Sequence, residues 1–197
     1  YAACVDAEND TVLEGNHGAG TGASVGKLLG FEHAMKSGIG TCGIQVGDLQ
    51  VAAIVAVNAC GNVVDYETNE LLAGVYDSHS GSVLKAQDVL FQQMDALRKL
   101  PEGNTTIGCI VTNAKLDKAQ CTKIAGIAHN GYARAIHPVH TMSDGDSIFV
   151  LSSGEVEVMA DAVGMLATEM MAKAIKRAVL HAESAYGLPA HSDVICK

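Results

Sequence analysis

The stretch Gly103-Asn104-Thr105-Thr106-Ile107-Gly108-Cys109-Ile110-Val111, at mid-chain, decides how the rest of the sequence is read. Ahead of it, Leu100-Pro101-Glu102-Gly103-Asn104 collects the breakers of an exposed loop. Behind it, β-branched residues predict a buried strand over Thr105–Thr112. A hydroxyl residue at a loop-to-strand junction is where a self-cleaving amidase needs its nucleophile. The loop can present the Asn104–Thr105 peptide bond, and the strand holds the new N-terminus rigid. Once Thr105 begins a fragment, its α-amine, with an ordinary pKa of about 7.7–8.0, can take the proton of its own hydroxyl. The same residues also fit an ordinary strand start.

Downstream, Ser143-Asp144-Gly145-Asp146-Ser147-Ile148-Phe149-Val150-Leu151 runs two carboxylates into a second apolar strand. Side chains at i and i+2 share a face of an extended segment, so Asp144 and Asp146 are expected to aim at one place. Beside an N-terminal ammonium they would orient it and tune its titration. A plain Asp-Gly turn is the alternative. A calcium loop would need more oxygen ligands and a closing Glu, which are missing.

Working outward, residues 1–9 read as helical and 14–30 as a glycine-rich loop. Gly38–Val46 and Leu49–Ala59 read as two strands around the Gly47-Asp48 turn. The polar stretch 65–83 reads as an exposed loop, and 84–100 as a helix ending before Pro101. Asp117 caps a helix to Ala135, Ser147–Leu151 is a strand, and Val156–Tyr186 is a long helical run stopped by Gly187-Leu188-Pro189. This order suits an α+β fold with two sheet layers between helices, an αββα four-layer sandwich, in one domain over 1–197.

Gly22-Ala23-Ser24-Val25-Gly26-Lys27-Leu28 has the Gly-Lys ending of a phosphate loop, but the spacing is one residue short and Leu28 replaces the required Ser or Thr. Its glycines instead let backbone approach a crowded site. Lys27 is then either a solvated surface lysine or a buried ammonium near the nucleophile. Asn58 ends the apolar run Val51–Val57 and is either a turn former or a functional amide. His137 and His140 read as structural, because Pro138 breaks the helix that a zinc pair would need. No metal and no cofactor is expected. A net charge of −9 argues against nucleic-acid and anionic-membrane partners. The six cysteines lack paired spacing and read as reduced thiols of a cytoplasmic protein.

Several blocks in order resemble the DmpA-type aminopeptidases and their relatives, the nylon-oligomer hydrolases. They are Glu14-Gly15-Asn16, Gly18–Ala23, Val25-Gly26-Lys27, Val55-Ala56-Val57-Asn58-Ala59, Gly103–Gly108, Leu116–Gln120, Ala133–Ile136 with Pro138–Thr141, and Asp144-Gly145-Asp146. The resemblance implies the αββα fold and self-cleavage into 1–104 and 105–197, with amide hydrolysis by Thr105. It also implies that Lys27 tunes the Thr105 amine, that Asn58 donates to the oxyanion, and that the protein is a homotetramer. Threonine at the cut followed by Asp-Gly-Asp resembles the nylon-oligomer branch, since the aminopeptidase branch has a serine nucleophile and a serine–glutamate pair. Full-length relatives are longer at the N-terminus, and that part supplies an active-site tyrosine. Tyr1 does not match it, so the expectation is that an upstream piece is omitted or that this is a cut fragment.

Three functions are thereby set against one another. The first is an endo-acting hydrolase of linear oligoamides such as 6-aminohexanoate oligomers. The second is an aminopeptidase that releases N-terminal residues. The third is a non-catalytic binding or assembly domain.

Overall fold

A computed structural model describes residues 12–92 and 103–194. The expected helix at 1–9 lies outside the described residues, as does the second half of the one expected over 84–100. The strands are β1 (Ser24–Val25), β2 (Met35–Lys36), β3 (Ile39–Val46), β4 (Leu49–Ala56), β5 (Asn62–Val64), β6 (Leu71–Ala73), β7 (Val75–Asp77), β8 (Ser82–Leu84), β9 (Ile107–Ala114), β10 (Ile136–His137) and β11 (Ser147–Val156). The helices are α1 (Ala86–Gln92), α2 (Lys118–Ala135), α3 (Ala160–Leu180) and the short α4 (His191–Val194).

The main sheet has the order β11-β9-β4-β3. β3 and β4 form an antiparallel hairpin around Gly47-Asp48, with Val46 opposite Leu49. β4 pairs antiparallel with β9, and β9 pairs parallel with β11, starting at Ile107 opposite Ser147. Alternation decides the faces. Val51, Ala53 and Val55 of β4 and Ile110 and Ala114 of β9 are buried under the helices. Ile54, Ile107, Val111, Phe149 and Leu151 point to the other face, where Phe149 and Leu151 remain 62% and 59% exposed. Among the described residues, therefore, one helix layer and one four-stranded sheet are laid down, and the second sheet face is open.

The helix pair covers the sheet because its contact faces are small. Asp117 and Gln120 close a reciprocal capping box at the start of α2: the Asp117 carboxylate accepts from the Gln120 N–H at 2.7 Å, and the Asp117 N–H donates to the Gln120 side chain at 2.9 Å. Ile124, Ala128, Gly131, Tyr132 and Ala135 then form its buried stripe. α3 buries Ala167, Met171, Ala174, Ile175 and Ala178 on the sheet. Gly40 of β3 lies so close to it that a Cβ would stand 2.1 Å from the Ala174 carbonyl oxygen and 2.5 Å from the Ala178 nitrogen. Only hydrogen fits there.

The stretch 65–83 is not the exposed loop expected of it. It carries β6, β7 and the start of β8, and buries Leu72, Ala73 and Val75. These strands are three residues each, too short to show a period among polar neighbours. β6 joins β5 and β10 in a three-stranded sheet, and β7 pairs with β8. β11 runs on to Val156, five residues past the expected end, and α3 is confined to Ala160–Leu180. Of the cysteines, Cys42, Cys60, Cys109 and Cys121 are free thiols. Cys4 and Cys196 lie outside the described residues.

Gly40→Ala should lower stability by about 1–3 kcal/mol through overpacking against helix backbone. Gly43→Ala is the control, since its Cβ would meet Ala52 Cβ at an ordinary 3.4 Å. Thermal denaturation of the two variants checks this, with the midpoint falling only for Gly40→Ala.

Candidate active site

The segment before β9 is held by a short parallel track with the segment before β11. The Gly145 N–H donates to the Asn104 carbonyl at 2.9 Å and the Ser147 N–H to the Thr106 carbonyl at 3.0 Å. The Tyr132 hydroxyl, reaching up from α2, donates to Thr106 and Ser147 carbonyls at 3.3 and 3.2 Å. Thr105 is thus fixed on both sides by backbone partners. Its hydroxyl lies 2.5 Å from the Asn104 carbonyl oxygen, the carbonyl of the bond expected to break. A Cβ on Gly145 would come within 2.8 Å of that hydroxyl, so a side chain here would crowd Thr105.

The two carboxylates, expected to aim at one place, flank Thr105 from either side and make separate contacts. Asp146, 3% exposed, accepts from the Thr106 N–H at 2.9 Å and faces His140 Nδ1 at 2.9 Å with its other oxygen. Asp144 accepts from the Thr141 hydroxyl at 2.6 Å and from the Cys60 N–H at 3.4 Å. The Thr105 N–H meets neither; it donates to the Asn58 carbonyl at 2.9 Å. The track carries Asp144 beside Asn104 and Asp146 beside Thr106, one residue to either side of Thr105.

Lys27 is buried rather than solvated, at 5% exposure. Its ammonium donates to the Asn58 side-chain oxygen at 2.7 Å and to the Asn58 carbonyl at 3.4 Å. That carbonyl is the one that holds the Thr105 N–H, so a single oxygen links the two nitrogens. Burial pulls the Lys27 pKa down to about 8, against the opposing pull of the Asp144 carboxylate. Burial pushes the Cys60 thiol up to about 11, and the Asp144 charge adds to this, so Cys60 is no thiolate at neutral pH.

Asn58 sits just past the end of β4, with its oxygen turned to Lys27 and to the Ser24 N–H at 3.3 Å. Its side-chain nitrogen therefore faces the loop, donating to the Gly103 carbonyl at 3.0 Å. This is one residue before the Asn104 carbonyl, which the Gly145 N–H bonds. Sequence reasoning missed Gly145, hidden as the turn glycine between two acids, and Tyr132, an ordinary member of a helix stripe. It also read His140 as structural. In the structure His140 contacts Asp146 and packs with His129 and Tyr132 at ring separations of 4.8 and 5.9 Å. Burial, and then the neighbouring His140, lower the pKa of His129. The signal for His140 was its position six residues before Asp146 across a turn, which no fixed motif encodes.

A cleft of about 680 Å³ opens at Thr105 on the uncovered face of the sheet. Ala19, Gly22 and Ala23 of the glycine-rich loop wall one side, and Ile54, Ile107, Cys109, Phe149 and Leu151 make an apolar floor. Asn58 and Thr105 are its polar end. A second hollow of about 720 Å³ runs farther along the same face past Gln50 and Asn113, and none of the site residues lines it.

This arrangement can be set beside known proteins. An uncharacterized aminopeptidase of Mycobacterium leprae is 35% identical over 209 residues, covering 97% of this chain and 55% of that protein. A 6-aminohexanoate-oligomer endohydrolase of Paenarthrobacter ureafaciens is 30% identical over 182 residues, covering 84% of this chain and 50% of that protein. The chain thus spans little more than half the length of such relatives. Among solved structures, the L-aminopeptidase D-Ala-esterase/amidase of Ochrobactrum anthropi, described as a new variant among the Ntn hydrolase fold, superimposes with a TM-score of 0.60 at 20% identity. That match covers 92% of this chain and 51% of the other. The fold is that of the Ntn hydrolases, and the sheet-and-helix layers described above are part of its α+β sandwich. The description of peptidase family S58 matches residues 1–192, nearly the whole sequence, and the chain belongs to that family.

Proposed function

We propose that this chain carries the catalytic part of a self-processing amide hydrolase whose nucleophile is the N-terminal threonine released at Thr105. The observation that carries the reading is the scissile carbonyl itself. The Asn104 oxygen receives the Gly145 N–H at 2.9 Å, while the Thr105 hydroxyl lies 2.5 Å from the same oxygen. A donor already aimed at the oxygen that gains charge lowers the barrier to attack.

In the first step Thr105 Oγ adds to the Asn104 carbonyl carbon. The C–N bond breaks, the nitrogen leaves as the Thr105 amine with the hydroxyl proton, and an ester joins Asn104 to Thr105 Oγ. Water opens that ester to a carboxylate and a free hydroxyl, giving 1–104 and 105–197. Strands β4 and β9, one from each piece, stay paired in one sheet. In turnover the amine takes the proton of Oγ, which attacks a substrate amide, and water then releases the acyl group. Lys27, linked through the Asn58 carbonyl, keeps the amine from holding its proton too tightly. Asn58 Nδ2, freed from Gly103 by the cut, donates to the substrate oxyanion. Asp146 anchors the Thr106 N–H behind the nucleophile, and Asp144 balances the Lys27 charge.

The apolar floor of the cleft supports the endo-hydrolysis of linear oligoamides with long methylene runs, as the name of the Paenarthrobacter relative describes for that protein. The aminopeptidase name of the 35% identical mycobacterial relative supports the second reading, release of N-terminal residues. An amine-blocked 6-aminohexanoate oligomer separates them: internal cleavage supports the first, and activity confined to free N-termini supports the second. We further expect a homo-oligomer, a tetramer by family resemblance.

Gly145→Ala should slow self-cleavage roughly a hundredfold, because its Cβ would displace the Thr105 hydroxyl from its line of attack. Time-resolved gel analysis of freshly refolded protein checks this, and an unchanged rate would remove Gly145 from the site.

A pH profile tests the amine–lysine pair. Below about pH 8, Lys27 is charged and disfavours protonation of the Thr105 amine. In processed Lys27→Met that repulsion is gone, the amine pKa rises, and the ascending limb of kcat/KM should move to higher pH. Asp144→Ala should move it the other way. A limb that stays fixed in folded Lys27→Met would take Lys27 out of the catalytic electrostatics.

A further inference from the structure

Behind the glycine-rich wall of the cleft lies a second buried ammonium that the chemistry above does not use. Lys36, on β2, is 1% exposed. Its three partners are backbone carbonyls, with no carboxylate among them. Nζ donates to Gly20 at 3.0 Å, to Ala23 at 2.9 Å and to Ser37. Burying a cation without a counter-charge is costly and is tolerated only where every donor is satisfied. Its pKa is accordingly pulled down to about 8 by burial. A methionine of similar length would fill this space but would take the Nζ donor from the Gly20, Ala23 and Ser37 carbonyls, so the ammonium serves the backbone around it.

The Ala23 carbonyl is also bonded by the Ser37 N–H at 3.0 Å. The other end of the same peptide group is the Ser24 N–H, which donates to Asn58 Oδ1 at 3.3 Å. One peptide plane is therefore gripped by an ammonium at its oxygen and by Asn58 at its hydrogen. A charge-assisted bond to the oxygen polarises the peptide and strengthens its N–H as a donor. With Ser24 and Lys27 both holding Asn58 Oδ1, the side-chain nitrogen is left pointing at the loop and the cleft.

We propose that Lys36 is a positioning residue: its ammonium locks the Ala23–Ser24 peptide, and through it fixes the Asn58 amide with its nitrogen toward the reacting carbonyl. The proposal rests on the reading of Asn58 as the oxyanion donor.

A double-mutant cycle in the full chain tests it, with the linear trimer of 6-aminohexanoate as substrate. Lys36→Met should lower kcat by about tenfold or more with little change in KM, since it disturbs a donor used in the transition state. Lys36→Gln, which keeps N–H donors without the charge, should fall between Met and wild type, and it carries the same comparisons if Met does not fold. Asn58→Ala should lower kcat by about 10²–10³, and adding Lys36→Met to it should cost nothing further, because the element being positioned is already gone. Equal losses in both backgrounds, or full kcat in a folded Lys36 variant while Asn58→Ala is crippled, would overturn the proposal. An active Asn58→Ala would instead overturn the reading of the site on which it rests, and if wild type cleaves only peptides with free N-termini the same cycle is run on such a peptide. Hydrogen exchange at the Ser24 amide decides Lys36 independently of turnover. It should speed about tenfold in Lys36→Met or Lys36→Gln, and an unchanged rate contradicts the proposal.

Discussion

The hydrogen bond from the Gly145 N–H to the Asn104 carbonyl is the constraint around which the site is arranged. It exists because two segments enter neighbouring parallel strands side by side, and the track is tight enough that a Cβ at residue 145 would stand 2.8 Å from the Thr105 hydroxyl. The bond aligns the Asn104 carbonyl, and the next rung, from Ser147 to Thr106, fixes the residue that follows Thr105. Parallel pairing of β9 and β11 requires a crossover, and α2 supplies it while lending Tyr132 as a further clamp. The sheet, the helix and the Asn104–Thr105 segment are in this sense held together by one set of bonds.

Charge is sorted across this construction. The chain carries a net −9, yet the wall formed by residues 20–37 holds two buried ammonium groups, Lys27 and Lys36, each pulled to about 8. The carboxylates Asp144 and Asp146 come instead from the 140–146 loop. The Thr105 nitrogen lies between them, bonded to a neutral carbonyl that Lys27 also touches. An amine generated there meets opposing fields, and its proton affinity is set by their difference rather than by any single contact.

Much of this was legible in the sequence. The β3–β4 hairpin announced itself through Gly47-Asp48 between apolar runs, and α2 through Asp117 with Gln120 three residues on. Thr105 stood out because breakers precede it and β-branched residues follow. Lys27 and Asn58 could be named only by resemblance, since a lone lysine and a strand-end asparagine have no pattern of their own. What stayed hidden has physical reasons. The strands between 71 and 84 are too short for periodicity, and the partners of Asp144 and Asp146 depend on how two loops run past each other. The contacts of His140 with Asp146 and of Lys36 with backbone carbonyls are ones that spacing does not encode. Lys36 in particular reads as one more surface lysine until its carbonyl cage is seen.

The central claim is that Asn104–Thr105 is a bond this protein breaks by itself. The most direct measurement is the intact mass of the purified full chain, followed by N-terminal sequencing of whatever pieces it contains. The account predicts two associated pieces, the second starting at Thr105, and a single uncut chain for Thr105→Ala prepared in the same way. A wild-type protein that remains one chain after prolonged incubation at neutral pH, or a Thr105→Ala variant cut at the same bond, would contradict it.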